Sequence, residues 1–472
     1  MGNNKPLSYF SNNLLPILAG KLLPILFLTI TMVLYARKLS YTDYGQFQTI
    51  WIYRSILSVI ISFGISSIIL STNIDNFYSF LKNNKLRISL LYAFGTLITF
   101  VIFYFTTYTF SNTTKYLLIA FVLLQSFCTL IDTLFIKKNL LKIYVWINLI
   151  YTILFFAIHL YFFYMNFVLN QLILAVIFLS LIKCICIFLL PQQHNKISDE
   201  TTPINLSANW IFIGLNDITG IVARWLDKLF LLYLLTPAKF AIFFNGSFEI
   251  PLFAILISAM ESIMLTNISA DLYNKQGVQN IFKESFKLLS IIAFPIFFFL
   301  LIMHAEIFAI VFKNKYNESI PIFLISICII PIRITHYGVI LQCYGQSKKV
   351  TFGSVADITL SLLLMLLLYP IFGTAGIALA IVLSTYAQAA YYLWQTSLLM
   401  QLKISQLIPV TYLLKLFFSL AAFYGLFYAI KIHFTVLPYF IFMLILTIFV
   451  IVIGSFIHWR FNQHQIRKWP SA

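Results

Sequence analysis

The residues of this chain with chemistry to do are charges set inside long apolar runs. Lys21 lies within the run 14–36, Arg54 within 47–70, Asp132 within 115–136 and Lys183 within 169–190. Further along, Arg224, Asp227 and Lys228 fall within 207–235, and Glu249 and Glu261 within 241–267. Arg333 and His336 lie within 318–343, Asp357 within 351–371 and Lys415 within 407–430. In a hydrocarbon medium each such charge costs about 2.5–3.5 kcal/mol to insert, so each needs a partner or a task. Buried cations suit an anionic ligand, because Arg grips a phosphate bidentately and Lys binds it as a point charge. Lys21, Arg54, Arg224 and Arg333 are therefore the candidates for a cationic cavity, and the implied ligand is an anion with a large body, such as a pyrophosphate-linked lipid. Asp132, Asp227, Glu249, Glu261 and Asp357 are the candidates for binding a coupling proton or Na⁺.

Each charge also has a purely structural reading. Lys183 is near the end of its run and long enough to reach an interface. Asp132 is one turn from Lys137 and Lys138, and Asp227 has Arg224 at the i, i+3 spacing and Lys228 beside it. Lys21 and Arg54 lie deeper, and Lys21 is bracketed by Pro16 and Pro24, which loosen or kink a helix. No competing chemistry is visible. The chain has no phosphate-cradling Gly-x-x-x-x-Gly-Lys loop, no His-Glu-x-x-His and no nucleophile elbow. Cys128, Cys184, Cys186, Cys328 and Cys343 all fall inside apolar runs and read as packing residues. No catalytic constellation, cofactor or metal is expected.

The elements that position these charges follow from composition. Of 472 residues, 61% are hydrophobic and only 10% charged, too few charges to cover a soluble surface. The apolar runs are about 20 residues long, the length that crosses a hydrocarbon core of about 30 Å as a helix. Runs such as 291–303 and 360–368 do not alternate, which argues against a membrane β-barrel. About fourteen spans are expected, at 14–36, 47–70, 88–110, 115–136, 143–165, 169–190, 207–235, 241–267, 284–303, 318–343, 351–371, 374–398, 407–430 and 437–459. The first carries no small-residue cleavage site and reads as a retained span. With both termini cytoplasmic, seventeen of the 31 Lys and Arg fall on the inner side and seven on the outer, as the positive-inside rule requires. That bias also gives the net charge of +17 a role in topology and in attraction to an anionic membrane face, without nucleic acid.

The polar stretch 191–206 divides the chain. The expected organisation is an N-terminal lobe of spans 1–6 (residues 1–190), a cytoplasmic linker (191–206), a C-terminal lobe of spans 7–12 (207–400), and spans 13–14 with a cytoplasmic tail (401–472). A faint repeat supports two pseudo-symmetric lobes. Leu39-Ser40-Tyr41-Thr42-Asp43-Tyr44-Gly45-Gln46-Phe47 follows span 1, and Leu235-Thr236-Pro237-Ala238-Lys239-Phe240-Ala241-Ile242-Phe243 follows span 7. Copies six spans apart share an orientation, a common transporter plan.

The first of these turns, from Arg37 to Phe47, resembles the span 1–2 connection of polysaccharide exporters and O-antigen flippases. Asp227-Lys228-Leu229-Phe230-Leu231-Leu232-Tyr233-Leu234-Leu235 resembles their span 7 signature. Phe312-Lys313-Asn314-Lys315-Tyr316, Tyr344-Gly345-Gln346-Ser347-Lys348-Lys349 and the stretch from Tyr369 to Ala380 are similar to their later spans. These motifs run in order over most of the chain. The family belongs to the multidrug/oligosaccharidyl-lipid/polysaccharide exporter superfamily. The resemblance implies an all-α membrane protein with two lobes in a V-shaped, alternating-access arrangement. It also implies transfer of an undecaprenyl-diphosphate-linked oligosaccharide from the cytoplasmic to the periplasmic leaflet of the inner (plasma) membrane. The related lipid II flippases use cationic cavity residues in spans 1 and 2, where this chain has Lys21 and Arg54. It departs from the pattern in having Lys21 where an Arg is expected, and Ala241 where the second turn often has Gly.

The expected function is therefore a lipid-linked oligosaccharide flippase, with the glycan lipid and the bilayer as partners and glycan polymerase machinery as a further one. A multidrug-type cation antiporter of the same fold is the alternative, but its cavity would favour acidic and aromatic residues over Arg and Lys. A membrane glycan polymerase or ligase would carry a large outer loop, and the longest here, around 304–318, is short.

Overall fold

The computed structural model describes residues 24, 26–71, 74–105, 110–138, 140–165, 168–186, 206–247, 256–257, 260–261, 263–265, 267–268, 272–430 and 436–466. Among them there is no strand, and eight helices are long and apolar enough to cross a membrane. The all-helical, polytopic expectation is met. The chain packs as two compact units, Met1–Ala241 and Ile242–Ala472. The expected linker lies outside the described residues except for Leu206.

The first unit holds α1 (residues 26–38), α2 (Tyr41–Ser62), α3 (Ile65–Ser71), α4 (Ile74–Phe105), α5 (Asn112–Lys137), α6 (Leu141–Tyr164), α7 (Leu169–Ile185) and α8 (Leu206–Leu234). Helix α2 packs on α4, α5 and α8, while α7 packs on both α5 and α6. Ser40 starts α2 by accepting the Asp43 backbone N–H at 3.1 Å, satisfying one of the donors a helix leaves unpaired at its start. Ser111 does the same for α5 through Thr114 N–H, at 3.2 Å. The second copy of the repeat has the same chemistry, with Thr236 placed before Pro237 at the start of α9 (Pro237–Gly246). The two copies also touch. A Cβ on Gly45 would lie 2.0 Å from the Pro237 carbonyl oxygen, so only glycine admits this approach.

Span 2, expected to be continuous over 47–70, is broken. Phe63 (φ 38°) and Gly64 (φ 76°) are left-handed, and they separate α2 from the short α3. A tertiary contact accompanies the break. The backbones of Gly64 and Gly214 come so close that a Cβ on Gly64 would sit 2.7 Å from the Gly214 nitrogen. The freed Phe63 carbonyl accepts the Trp210 indole N–H at 2.8 Å.

The second unit is built on α10 (Lys275–Phe312), 38 residues long with Pro295 inside it. Helices α16 (Val410–Ile430) and α17 (Val436–Ile466) pack along it. The Phe417 ring meets Phe294 at 5.3 Å and Phe298 at 4.9 Å. Helices α13 (Ser347–Phe372) and α14 (Thr374–Met400) form a tight hairpin turned at Gly373, whose φ is 58°. Span 10 is broken as well. It is helical at α11 (Ile320–Ile327) and α12 (Val339–Cys343), with turns between them at Pro331, where no backbone N–H is available. The four-residue α15 (Ile404–Leu407) links α14 to α16.

Candidate functional site

Inside the first unit, polar side chains from α2, α5, α6 and α7 form one continuous network. On α5, Gln125, Cys128 and Asp132 follow at i, i+3 and i+7, so all three share one face. On α7, Ser180, Lys183 and Cys184 follow at i, i+3 and i+4, as do Asn148, Tyr151 and Thr152 on α6, and each set likewise shares one face. Arg54 enters from α2. Its Nε and Nη2 donate to Gln125 Oε1 at 3.2 and 2.7 Å, and its guanidinium lies over the Trp51 ring, 5.4 Å from the centroid. Gln125 in turn donates through Nε2 to Tyr151 Oη at 3.1 Å and Ser180 Oγ at 2.8 Å.

One turn further along, Lys183 Nζ pairs with Asp132 Oδ2 at 2.7 Å and donates to Asn148 Oδ1 at 3.0 Å. Asn148 Nδ2 donates to Asp132 Oδ1 at 3.1 Å, which closes a three-membered ring. Lys183 also faces the Tyr151 ring, which joins the two halves of the network. The Lys183 side chain is 6% exposed, so it does not snorkel, and Asp132 pairs with it across helices instead of with Lys137 or Lys138. The two halves differ in charge balance. Lys183 is neutralised by Asp132, whereas Arg54 is held by a neutral amide and an aromatic face, with no carboxylate at ion-pair distance among the described residues.

The other candidates are distributed as follows. Lys21 and Glu249 lie outside the described residues, as does Pro16. Arg224 is exposed on α8, apart from the network. Asp227 is buried and pairs with its neighbour Lys228 at 2.8 Å, not with Arg224. In the second unit, Glu261 meets His336 Nε2 at 3.1 Å. Arg333 and His336 both fall in the broken part of span 10, the kind of backbone that membranes tolerate only where protein or a water-filled cavity surrounds it. Asp357 lies on α13 with a buried Oδ1, near Ser361 and Ser384, whose hydroxyls bond at 2.7 Å. Among the described residues no group of three or more His, Cys, Asp or Glu is placed to hold a metal ion.

Sequence reasoning missed the neutral members: Gln125, Asn148, Tyr151 and Ser180. The signal was the helical spacing of polar residues along α5, α6 and α7, which reading only for charge passes over. It also missed Asp217, which accepts Ser67 Oγ–H at 2.7 Å, and Glu284, which bridges Lys287 at 2.5 Å and His458 at 3.1 Å.

Known proteins share this fold. The chain is similar to a lipid II flippase MurJ in an inward closed conformation, with 14% identity and a TM-score of 0.72 over 95% of this chain and 99% of that one. It is also similar to an inward-facing multidrug resistance MATE family transporter, with 12% identity and a TM-score of 0.54 over 83% of this chain and 98% of that one. A transporter of the same superfamily from Pyrococcus furiosus, described by the reversed polarity of its binding pocket, matches with 11% identity and a TM-score of 0.55 over 83% of this chain and 94% of that one. No curated protein sequence matches the chain. At these identities the likeness is one of fold. A family model for polysaccharide biosynthesis proteins matches residues 34–321, more than half of the chain, and the chain belongs to that family.

Proposed function

We propose that this protein is a flippase that carries an undecaprenyl-diphosphate-linked oligosaccharide, the repeat unit of a surface polysaccharide or O-antigen, from the cytoplasmic to the periplasmic leaflet by alternating access. The observation that carries this reading is the state of Arg54. Two of its five N–H groups are used on one neutral amide oxygen, and the remaining donors and the full charge are left for a diphosphate. Gln125 and Trp51 hold the guanidinium in place, which limits the ordering cost of binding. Lys21, Arg224 and Arg333 are the further cationic candidates. Binding of the diphosphate favours one lobe arrangement and release favours the other. Asp132, Asp227, Glu249, Glu261 and Asp357 are the candidate sites for a coupling ion. On this reading both termini are cytoplasmic, as the excess of Lys and Arg on that side supports, and glycan polymerase machinery is the partner that receives the product.

The test is leaflet exchange of a fluorescent undecaprenyl-diphosphate oligosaccharide in liposomes containing the purified protein. Wild type should exchange the lipid. Arg54→Ala should lower exchange by roughly tenfold or more, the scale of one lost charge-assisted hydrogen bond, while eluting as a folded monodisperse protein. Absence of exchange with any lipid-linked glycan, together with proton-driven efflux of organic cations, would replace this reading with the multidrug antiporter.

A further inference from the structure

Two cysteines sit at the centre of the Arg54–Asp132 network. Cys128 on α5 lies between Gln125 and Asp132, and Cys184 on α7 directly follows Lys183 and stands one turn beyond Ser180. Their sulfurs are 3.7 Å apart, and both are free thiols. The surroundings hold the pair together. Cys128 Sγ also reaches the Ser180 carbonyl at 3.6 Å, and the two helices are crossed on one side by Gln125–Ser180 at 2.8 Å and on the other by Asp132–Lys183 at 2.7 Å. Cys128 is 3% exposed, whereas Cys184 is half-buried, packed against the cluster of Ile131, Phe135 and Tyr144. One thiol is thus partly open to the surface of the unit and the other is enclosed. That is the arrangement of an attacking and a resolving cysteine.

We propose that Cys128 and Cys184 form an oxidisable dithiol, a modification site for hydroperoxides dissolved in the membrane. Its closure to a disulfide disturbs the Arg54 anchor, and this second clause rests on the flippase reading above. The Cys184 thiolate attacks the terminal oxygen of ROOH. The O–O bond breaks, the departing alkoxide takes up the proton that the Cys184 thiol gave up and leaves as ROH, and Cys184 becomes a sulfenic acid. Cys128 then attacks the Cys184 sulfur, the S–O bond breaks, and the hydroxide leaves as water with the Cys128 proton. The net change is two thiols and one hydroperoxide to one disulfide, one alcohol and one water. Closure brings the sulfurs from 3.7 Å to about 2.05 Å, and rotation of the two side chains together with a shift of α7 against α5 takes up the difference. The flanking hydrogen bonds start near their optimal length, and that shift stretches them beyond it. Gln125 then loses Ser180, and with it the brace that orients it toward Arg54.

The experiment treats the purified full chain with cumene hydroperoxide in liposomes and digests it without reduction. A linked Cys128–Cys184 peptide is expected, together with the loss of two maleimide-reactive thiols in the unfolded protein. Cys184→Ser and Cys128→Ser should each lack the linked peptide, and Cys184→Ser should leave Cys128 unreacted. Exchange of the fluorescent glycan lipid should fall roughly tenfold on oxidation, recover with a phosphine reductant, and not respond in Cys128→Ser/Cys184→Ser. No linked peptide in wild type would overturn the site. A linked peptide with unchanged exchange would overturn its effect on Arg54. The thiol count and the linked peptide need no substrate, so failure of the flippase reading is told apart from failure of this one.

Discussion

At the scale of single residues, a charge is explained by what it faces, and depth in a span does not reveal that. Lys183 lies near the end of an apolar run, yet its ammonium is buried against Asp132 and Asn148. Removing one partner of such a pair strands the other charge in a poorly polar interior, at a cost of about 3–5 kcal/mol, whereas replacing both with apolar groups of similar volume costs little. Asp132→Ala should therefore lower thermal stability in detergent sharply, and Asp132→Leu combined with Lys183→Met should recover most of the loss. Arg54 behaves differently, since its partners are neutral. Arg54→Lys keeps the charge but cannot span the two bonds to Gln125, so exchange of the glycan lipid should fall between wild type and Arg54→Ala, with little change in thermal unfolding. These two residues mark how far the site was legible. Arg54 and Asp132 stood out as charges in apolar runs. Their partners Gln125, Asn148 and Ser180 did not, because a neutral polar side chain costs little to insert and only the folded neighbours show what it binds.

At the scale of elements, length and hydropathy located most of the helices, but they could not show which would be interrupted. The break after Ser62 lies in a stretch where Ser62, Gly64, Ser66 and Ser67 punctuate an apolar run that a membrane helix could still carry, and it accompanies the close approach of the Gly64 and Gly214 backbones. Gly64→Ala combines a left-handed φ with a Cβ 2.7 Å from a neighbouring backbone nitrogen. It should cost about 2–4 kcal/mol, the sum of the left-handed penalty and a modest overpacking term, read as a fall in thermal stability. Span 10 carried a readable local cue in Pro331, yet its turn signals were outweighed by the surrounding hydropathy. Gly45 makes the complementary case. The resemblance between the two turns was visible as sequence, but the contact of Gly45 with Pro237 was not, since a repeat says nothing about whether its copies meet.

At the scale of the whole molecule, the polar stretch around 191–206 and the packing of α8 make distinct statements. Helix α8 follows that stretch and lies in the first unit, joined to α2 and α3 through Trp210–Phe63, Asp217–Ser67 and the Gly64–Gly214 approach. Two fragments, residues 1–190 and 207–472, should therefore co-purify when expressed together with a tag on only one. Gly214→Leu should separate them, because its side chain would fill the space now held by the Phe63 ring, 2.7 Å from a Cβ at that position. Association that survives Gly214→Leu would place the main contact elsewhere. Helix α10 has a consequence of another kind. At 38 residues it is about 57 Å long, nearly twice the hydrocarbon thickness of a bilayer. Its first turns carry Lys275, Lys283, Glu284 and Lys287, so the surplus length sits outside the acyl chains as a polar handle. The remaining, largely apolar part, residues 288–312, is about 37 Å long, so the rod meets a thicker membrane by standing upright and a thinner one by tilting. The protein should therefore tolerate bilayers of differing thickness better than its shorter spans would on their own.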